Sequence, residues 1–353
     1  NPSKYVRSGP GRVPAGRRTE CSDQRGSVSG HGMRREARGR DTGSEPRRNR
    51  PGDLFSLTKP RITLMVLITS GAGFLLGSGG DVDIRALAMS SFGIWLVAGG
   101  TSALNQVFER DIDARMHRTR GRALPTGRVT PAAATWFSVG LAALGVGILA
   151  AFVNPLTAFL AVMALLSYIL VYTPMKRVSS LSTLVGAVPG ALPILGGWTA
   201  ATGSMDPGGW ALFGILFFWQ LPHFLALAWM YSEDYRRGGL KMLGVSDPAG
   251  RQTRHQSVLY ALALLPTSLL PVLLGLTGGF YAFAALLLTG AYLASAIRFA
   301  ARADSPTARG LFRVSLLYLP VLLLFLTLDA AGPVATDTES GPAVTIGNPS
   351  VGM

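Results

Sequence analysis

Asn105, Glu109 and Asp113 recur at every fourth position. On an α-helix that spacing keeps three side chains within about 80° of one another, stacked along one face. An amide and two carboxylates on one face form a set of hard oxygen donors. Mg²⁺ takes such donors when it also binds phosphate oxygens and water. Asp111 points to another side of the helix and is the weaker ligand. Arg118 and Arg122 follow at once, with planar guanidinium groups suited to bidentate contacts with phosphate or carboxylate. The plainer reading of the same run is a solvated, mixed-charge loop with i,i+4 ion pairs. Asn105 and Gln106 weigh against it, because they end an otherwise apolar span, where polar groups are costly and mark function.

A second polar group lies in the apolar run 207–232, which Gln220 and His223 interrupt. A histidine alone on an apolar helix reads as structural. Here Pro222 sits beside it and, by kinking the helix, frees a backbone carbonyl. Glu233 and Asp234 place further carboxylates where this run ends. Two acidic helix ends facing each other could hold two Mg²⁺ ions and a diphosphate between them. Carboxylates alone would repel that anion; the metals invert the sign.

The elements that carry these residues are set by where charge is missing. Only 15% of the 353 residues are charged, and 48% are hydrophobic. Stretches 62–80, 86–108, 129–175, 178–205, 207–232, 255–297 and 314–328 contain no Asp, Glu, Lys or Arg. A bilayer core needs about 20 apolar residues of helix. The stretches 129–175 and 255–297 are twice as long, and each carries a breaker: Asn154-Pro155 in the first, Gly275 to Gly279 in the second. Splitting both predicts nine transmembrane helices, an all-α membrane protein. A soluble bundle would need a polar face on each core helix, and most of these segments have none.

Threading nine spans sorts the basic residues. Of the 33 Lys and Arg, all but Arg85 fall on one side. The positive-inside rule then puts the N-terminus in the cytoplasm and the C-terminus outside. The net charge of +14 is therefore mostly a topology signal, and nucleic acid is not expected as a partner. Residues 1–52 hold thirteen Arg/Lys with five acids and read as a disordered basic cytoplasmic tail. Residues 53–332 form the membrane domain, and polar 333–353 a second disordered tail. A mitochondrial transit peptide is disfavoured by the acids and the lack of an amphipathic pattern, and no secretory signal is visible. Cys21, the one cysteine, lies in the first tail, so neither a disulfide framework nor a cysteine-based metal site is expected.

The two polar clusters resemble the UbiA superfamily of intramembrane prenyltransferases. Asn105, Glu109 and Asp113 look like its Asn-x-x-x-Asp-x-x-x-Asp motif, with Glu109 at the middle position. With Met116, Arg118, Thr119, Leu124 and Pro125, that variant resembles the superfamily's protohaem IX farnesyltransferase branch. So do Trp219-Gln220, Pro222-His223, Glu233-Asp234-Tyr235, Gly238-Gly239 and Met242-Leu243. Thr58-Lys59-Pro60-Arg61 and Tyr172-Thr173-Pro174 with Lys176-Arg177 also look like the family. The resemblance spans about 54–331. Ala123 stands where the family commonly has Pro, and Tyr231, Glu233 and Asp234 offer fewer carboxylates than the usual second motif, a thinning shared by members with a haem substrate.

The resemblance implies a UbiA-like bundle in the bacterial inner membrane, with the mitochondrial inner membrane as the alternative. It implies farnesyl transfer from farnesyl diphosphate to the 2-vinyl group of haem b, with addition of water, giving haem O and diphosphate. Mg²⁺ on Asn105, Glu109 and Asp113, with Asp234, would neutralise the leaving group. Arg118, Arg122 and Lys176 would hold its outer oxygens. A dry helix bundle would shelter the allylic cation, and the farnesyl chain would enter from lipid. His223 is a candidate haem ligand or base. Lys59 and Arg61 read either as interfacial anchors of the first span or as contacts for a propionate or the diphosphate. The product's implied destination is a haem A synthase or the assembly of a terminal oxidase. Competing readings are a prenyltransferase for an aromatic or lipid acceptor, and a transporter, whose polar groups would sit nearer the bilayer midplane.

Overall fold

Proline and capping residues decide where the spans begin. In the computed structural model, which describes residues 49–330, Thr130, Asn154 and Asp206 each precede a proline. Each also accepts a backbone N–H from the first turn of the helix it starts. Proline at the first helical position loses no hydrogen bond, and the cap satisfies an orphan amide. Asp83 and Asp304 cap two further spans in the same way.

Among the described residues, nine helices are long and apolar enough to cross a bilayer. A short helix α1 (Pro51–Leu57) leads into α2 (Pro60–Gly77) and α3 (Ile84–Phe108). Next come α4 (Arg110–Arg115), α5 (Pro131–Phe152), α6 (Pro155–Leu166), a π-helical stretch Ser167–Tyr172 and its continuation α7 (Thr173–Met175). They are followed by α8 (Ser182–Thr202), α9 (Pro207–Met230), α10 (Ser232–Gly238) and α11 (Leu243–Ser246). The chain ends in α12 (Arg251–Leu273), α13 (Gly279–Arg302) and α14 (Ser305–Leu328). Both double-length runs break where their sequences indicate: α5 gives way to α6 at Asn154-Pro155, and α12 to α13 across Gly275 to Gly279. Helix α1 was not expected. It starts at Pro51, within the segment that composition assigns to the tail, and its Leu57 is buried against Ala103 and Leu124. Residues 1–48 of the first expected tail, with Cys21, and the whole of the second lie outside the described residues.

The first five spans pack chiefly among themselves and the last four likewise, with α8 against α9 joining the groups. Small residues let the backbones meet, as they do in membrane interfaces that lack a hydrophobic drive. A Cβ on Gly197 of α8 would fall 1.8 Å from the Ser70 carbonyl oxygen of α2, and one on Gly73 of α2 would fall 2.1 Å from that of Ile194 in α8. The larger core joins α8, α9, α12, α13 and α14 around Tyr281, Tyr292 and Tyr318. These hydroxyls are satisfied: Tyr281 donates to Ser268 O and Tyr292 to Trp219 O, both at 2.8 Å, and Tyr318 pairs with Thr289. Trp136, Phe283 and Leu317 point outward and are exposed, as lipid-facing side chains are.

The loops gather by charge. Lys241 N–H donates to Lys176 O at 2.8 Å, tying the loop after α10 to the one after α7. Arg254 Nη1 reaches Ala300 O, and Gln106 Nε2 donates to Leu57 O. These contacts put the start of the first span and the ends of the second, fourth, sixth and eighth on one face of the bundle. We call it the charged face. Arg85 begins α3 at the opposite end.

Candidate active site

Helix α3 ends at Phe108, and Glu109 links it to α4 with φ −97° and ψ 8°. The helical ladder nevertheless runs through the joint: Glu109 N–H donates to Asn105 O and Asp113 N–H to Glu109 O. The i, i+4, i+8 stack therefore survives the break. Asn105, Glu109 and Asp113 are all buried, whereas Asp111 turns outward and pairs with Arg110.

Each buried acid has its own cation. Lys176 Nζ donates to Glu109 Oε1 at 2.8 Å, and Arg122 Nη1 to Asp113 Oδ2 at 2.7 Å. Asn105 Nδ2 donates to Glu109 Oε2 at 2.8 Å. Thr173 Oγ1 lies 2.9 Å from Asn105 Oδ1, which fixes the amide's orientation. Asp113 Oδ1 is buried with no hydrogen-bond partner among the described residues. A buried carboxylate oxygen without a partner carries a desolvation cost that a hard cation would relieve. The donor set thus suits Mg²⁺ at Asp113 and, through the free lone pairs of Glu109 and Asn105, at its two neighbours.

Burial works against ionisation of Glu109, but the Lys176 charge and hydrogen bond and the Asn105 amide outweigh it. The carboxyl therefore titrates below its ordinary range. Burial likewise opposes the charge on Lys176, yet Tyr172, Tyr168 and Glu109 around it raise its pKa above the usual value. The ammonium lies 4.2 Å from the Tyr172 ring centroid and 5.7 Å from that of Tyr168. The π-helical stretch supplies both rings and sets the register of Thr173 and Lys176. Tyr172 itself is wedged against Gly186, where a Cβ would come within 2.4 Å of the ring.

Lys59 joins the same electrostatic cluster. It caps α2 in the left-handed region, φ 50°, which a residue with a Cβ adopts only at a cost. Burial lowers its pKa to about 8, helped by Arg122 and Lys176 and resisted by Glu109 and Asp113. Among the described residues it forms no ion pair. Arg61 is exposed, and Arg118 is exposed with its guanidinium 5.2 Å over the Tyr231 ring.

Asp234 stands apart from the three stacked residues. Its two oxygens accept from the backbone amides of His117 and Arg118, each at 3.2 Å, clasping α10 to the loop after α4. Among the described residues no third His, Cys, Asp or Glu completes a metal group with Glu109 and Asp113. Glu233 is exposed and pairs with Arg236 and Arg237.

His223 lies elsewhere, on α9 against α14. Its Nδ1 is 2.7 Å from Ser315 Oγ. Ser315 Oγ also lies 2.7 Å from Phe312 O; in the tautomer where it donates there, it accepts from Nδ1–H and Nε2 keeps its lone pair. The ring is stacked between Trp219 and Phe312, with centroids at 5.4 and 4.7 Å. Gln220 is spent on structure, donating to Ala187 O at 2.8 Å. No hydrogen bond or ion pair among the described residues connects His223 with Asn105, Glu109 or Asp113.

Thr173, Tyr168 and Tyr172 were not singled out as site residues from the sequence. Tyr172 and Thr173 stand in a run that resembles the family, but nothing in that run shows that they touch Lys176 and Asn105.

Residues 66–325 match the model of the UbiA prenyltransferase family. The chain is 44% identical to the protoheme IX farnesyltransferase of Solibacter usitatus, over 79% of this chain and 99% of that protein. It is 48% identical to that of Anaeromyxobacter dehalogenans, over 78% and 93%. Among solved structures, digeranylgeranylglyceryl phosphate synthase superimposes with a TM-score of 0.68 at 18% identity, covering 79% of this chain and 98% of that one. A UbiA homolog from Archaeoglobus fulgidus bound to DMAPP and Mg²⁺ gives 0.54 at 15%, over 78% and 99%. The chain belongs to the UbiA prenyltransferase family and, within it, groups with the protoheme IX farnesyltransferases.

Proposed function

We propose that the protein transfers the farnesyl group of farnesyl diphosphate to the 2-vinyl group of haem b. The C1–O bond of the diphosphate breaks and its electron pair leaves with the diphosphate. The terminal vinyl carbon supplies the pair for the new C–C bond. Water adds to the cation left beside the porphyrin ring and loses a proton, giving the hydroxyethylfarnesyl side chain of haem O.

The observation that carries this reading is the pairing of two buried acids with two cations around an unpartnered Asp113 oxygen. At rest the acids and cations balance. A divalent metal and a polyanionic diphosphate arriving together nearly preserve that balance; either alone would upset it. Asn105, Glu109 and Asp113 would hold Mg²⁺, which supplies charge neutralisation for the departing diphosphate. Lys176 and Arg122, released from their acids, are placed to hold its oxygens, with Lys59 beside them. Arg118 and Arg61 extend the basic rim. Tyr168 and Tyr172 present π faces where the allylic cation forms, and the apolar span walls keep water away from it. His223, with Nε2 open between two aromatic rings, would take the haem iron or a proton. Asp234 acts by holding the Arg118 loop, and its remaining lone pairs leave it available as a further metal ligand.

We read the charged face as cytoplasmic, a reading its excess of basic residues supports, and the membrane as the bacterial inner membrane. Haem b and farnesyl diphosphate both reach the site from the bilayer, and haem O passes on to a haem A synthase or a terminal oxidase. Membranes containing the protein, given haem b, farnesyl diphosphate and Mg²⁺, should form haem O. Prenylation of a quinone precursor with haem b left untouched would overturn the reading in favour of an aromatic acceptor.

A further inference from the structure

A groove of about 520 Å³ opens on the charged face, remote in sequence from the site above. It is lined by Arg251, Arg254, His255, Val258, Leu259 and Leu262 of α12, with Ala300 of α13 opposite. The α12 residues recur at i, i+3, i+4, i+7, i+8 and i+11, so they form one continuous stripe along the helix. The stripe changes character along its length. Its first turn is cationic or titratable; its next two turns are apolar, and Leu259 and Leu262 are 54% and 52% exposed.

Arg254 is held in place there. Its Nε donates to Gly250 O at 3.1 Å and its Nη1 to Ala300 O at 3.4 Å, so the guanidinium bridges the start of α12 and the end of α13. Its other terminal nitrogen has no partner among the described residues. Arg251 and His255 flank it and are exposed. Asp247 is the nearest acid in sequence, and both its oxygens are occupied by the amides of Arg251 and Thr253 and the Thr253 hydroxyl. The helix amides are therefore already capped, and an incoming anion would be met by side chains.

A soluble anion could use the head of this groove but would leave Val258, Leu259 and Leu262 uncovered. An amphiphile whose anionic group precedes a long apolar chain matches both halves. We propose that the groove between α12 and α13 binds one anionic glycerophospholipid, its phosphate on Arg251 and Arg254 and an acyl chain along Val258, Leu259 and Leu262. Its volume lies within the roughly 300–1,000 Å³ typical of small-molecule sites. The proposal does not depend on which acceptor is prenylated.

The full chain, delipidated in detergent, can be titrated with phosphatidylglycerol and with phosphatidylcholine of identical acyl chains and followed by native mass spectrometry. Phosphatidylglycerol should give a single retained adduct at concentrations where phosphatidylcholine gives none. R251Q with R254Q should weaken retention roughly thirtyfold, as expected for two basic residues at an anionic headgroup. R254K, which keeps the charge, controls for loss of the interhelical bridge and should retain the adduct. L259S with L262S should weaken both lipids alike. Three results would overturn the assignment: equal retention of the two lipids, displacement of phosphatidylglycerol by inorganic phosphate at equal concentration, or displacement by farnesyl diphosphate, which would make the groove a substrate route.

Discussion

The two polar sites of this bundle are built on opposite terms. Around Asn105, Glu109 and Asp113, position is set by charge: each acid is bonded to a cation from another segment, and every bond is one that metal and diphosphate could replace. Around His223, position is set by packing: one hydrogen bond holds Nδ1 and two aromatic rings fix the plane. A charge-held site can exchange partners when ions arrive. A packing-held site cannot, so it can only offer the one lone pair that it leaves open. We propose a division of labour on that basis, with one site handling the leaving group and the other the acceptor.

The comparison breaks most visibly at the acids. D113N and E109Q should each lower kcat by about 10²–10³-fold, the usual loss when one group that stabilises developing charge is removed. Both should also need more Mg²⁺ for half-maximal rate. A variant with normal turnover and an unchanged metal requirement would remove the charge-held site from the mechanism. K176M comes next. It strands Glu109 as a buried unpaired carboxylate, costing about 3–5 kcal/mol of stability in thermal or denaturant unfolding. K176M with E109Q should recover much of that stability without recovering turnover.

H223A should lower turnover on the order of 10²-fold if His223 is a ligand or base, and it should shift the Soret band of bound haem b. Unchanged turnover and an unchanged spectrum would leave His223 a purely structural member of its aromatic stack. K59A carries a pH signature. The free Lys59 loses its proton near pH 8, so wild-type KM for farnesyl diphosphate should rise above that pH, and substrate binding there should take up a proton. In K59A the KM should be high and flat across the same range; a wild-type profile flat through pH 8 would put Lys59 outside the site. The smallest effect is expected from D234N. It weakens two backbone hydrogen bonds worth about 0.5–1.5 kcal/mol each and should act on stability and on Arg118 loop order more than on metal affinity.

How much of this was legible in the sequence follows from which solvent did the selecting. The lipid-facing surface forbids charge, so the span count could be read from missing Asp, Glu, Lys and Arg, and both break points from Asn154-Pro155 and Gly275 to Gly279. Helical spacing showed the Asn105, Glu109 and Asp113 face because it is local, and it survived a helix break at Glu109 that spacing could not reveal. Long-range pairings were not legible. Nothing at Lys176 announces Glu109, 67 positions away, nor at Ser315 announces His223, 92 positions away. Asp234 shows the limit most plainly. Its acid type and helix-end position were legible, but its bonds to the backbone amides of His117 and Arg118, more than a hundred positions away, were not. Lys59 shows the reverse: an apparent interfacial anchor whose electrostatic neighbours are those of the site.

The π-helical stretch Ser167–Tyr172 has a consequence for how this chain tolerates insertion and deletion. A π turn is an α-helix carrying a surplus residue, and each residue turns an α-helix by about 100°. Excising lipid-exposed Leu170 would let the span relax into regular α-helix with its length and hydropathy almost intact. The wide turn had absorbed that residue's rotation locally, so Thr173 would stay on Asn105 and Lys176 on Glu109. A residue deleted from regular α-helix in the same span would instead swing both off their partners by that angle, so the π turn is the one place where this span can lose a residue and keep the site.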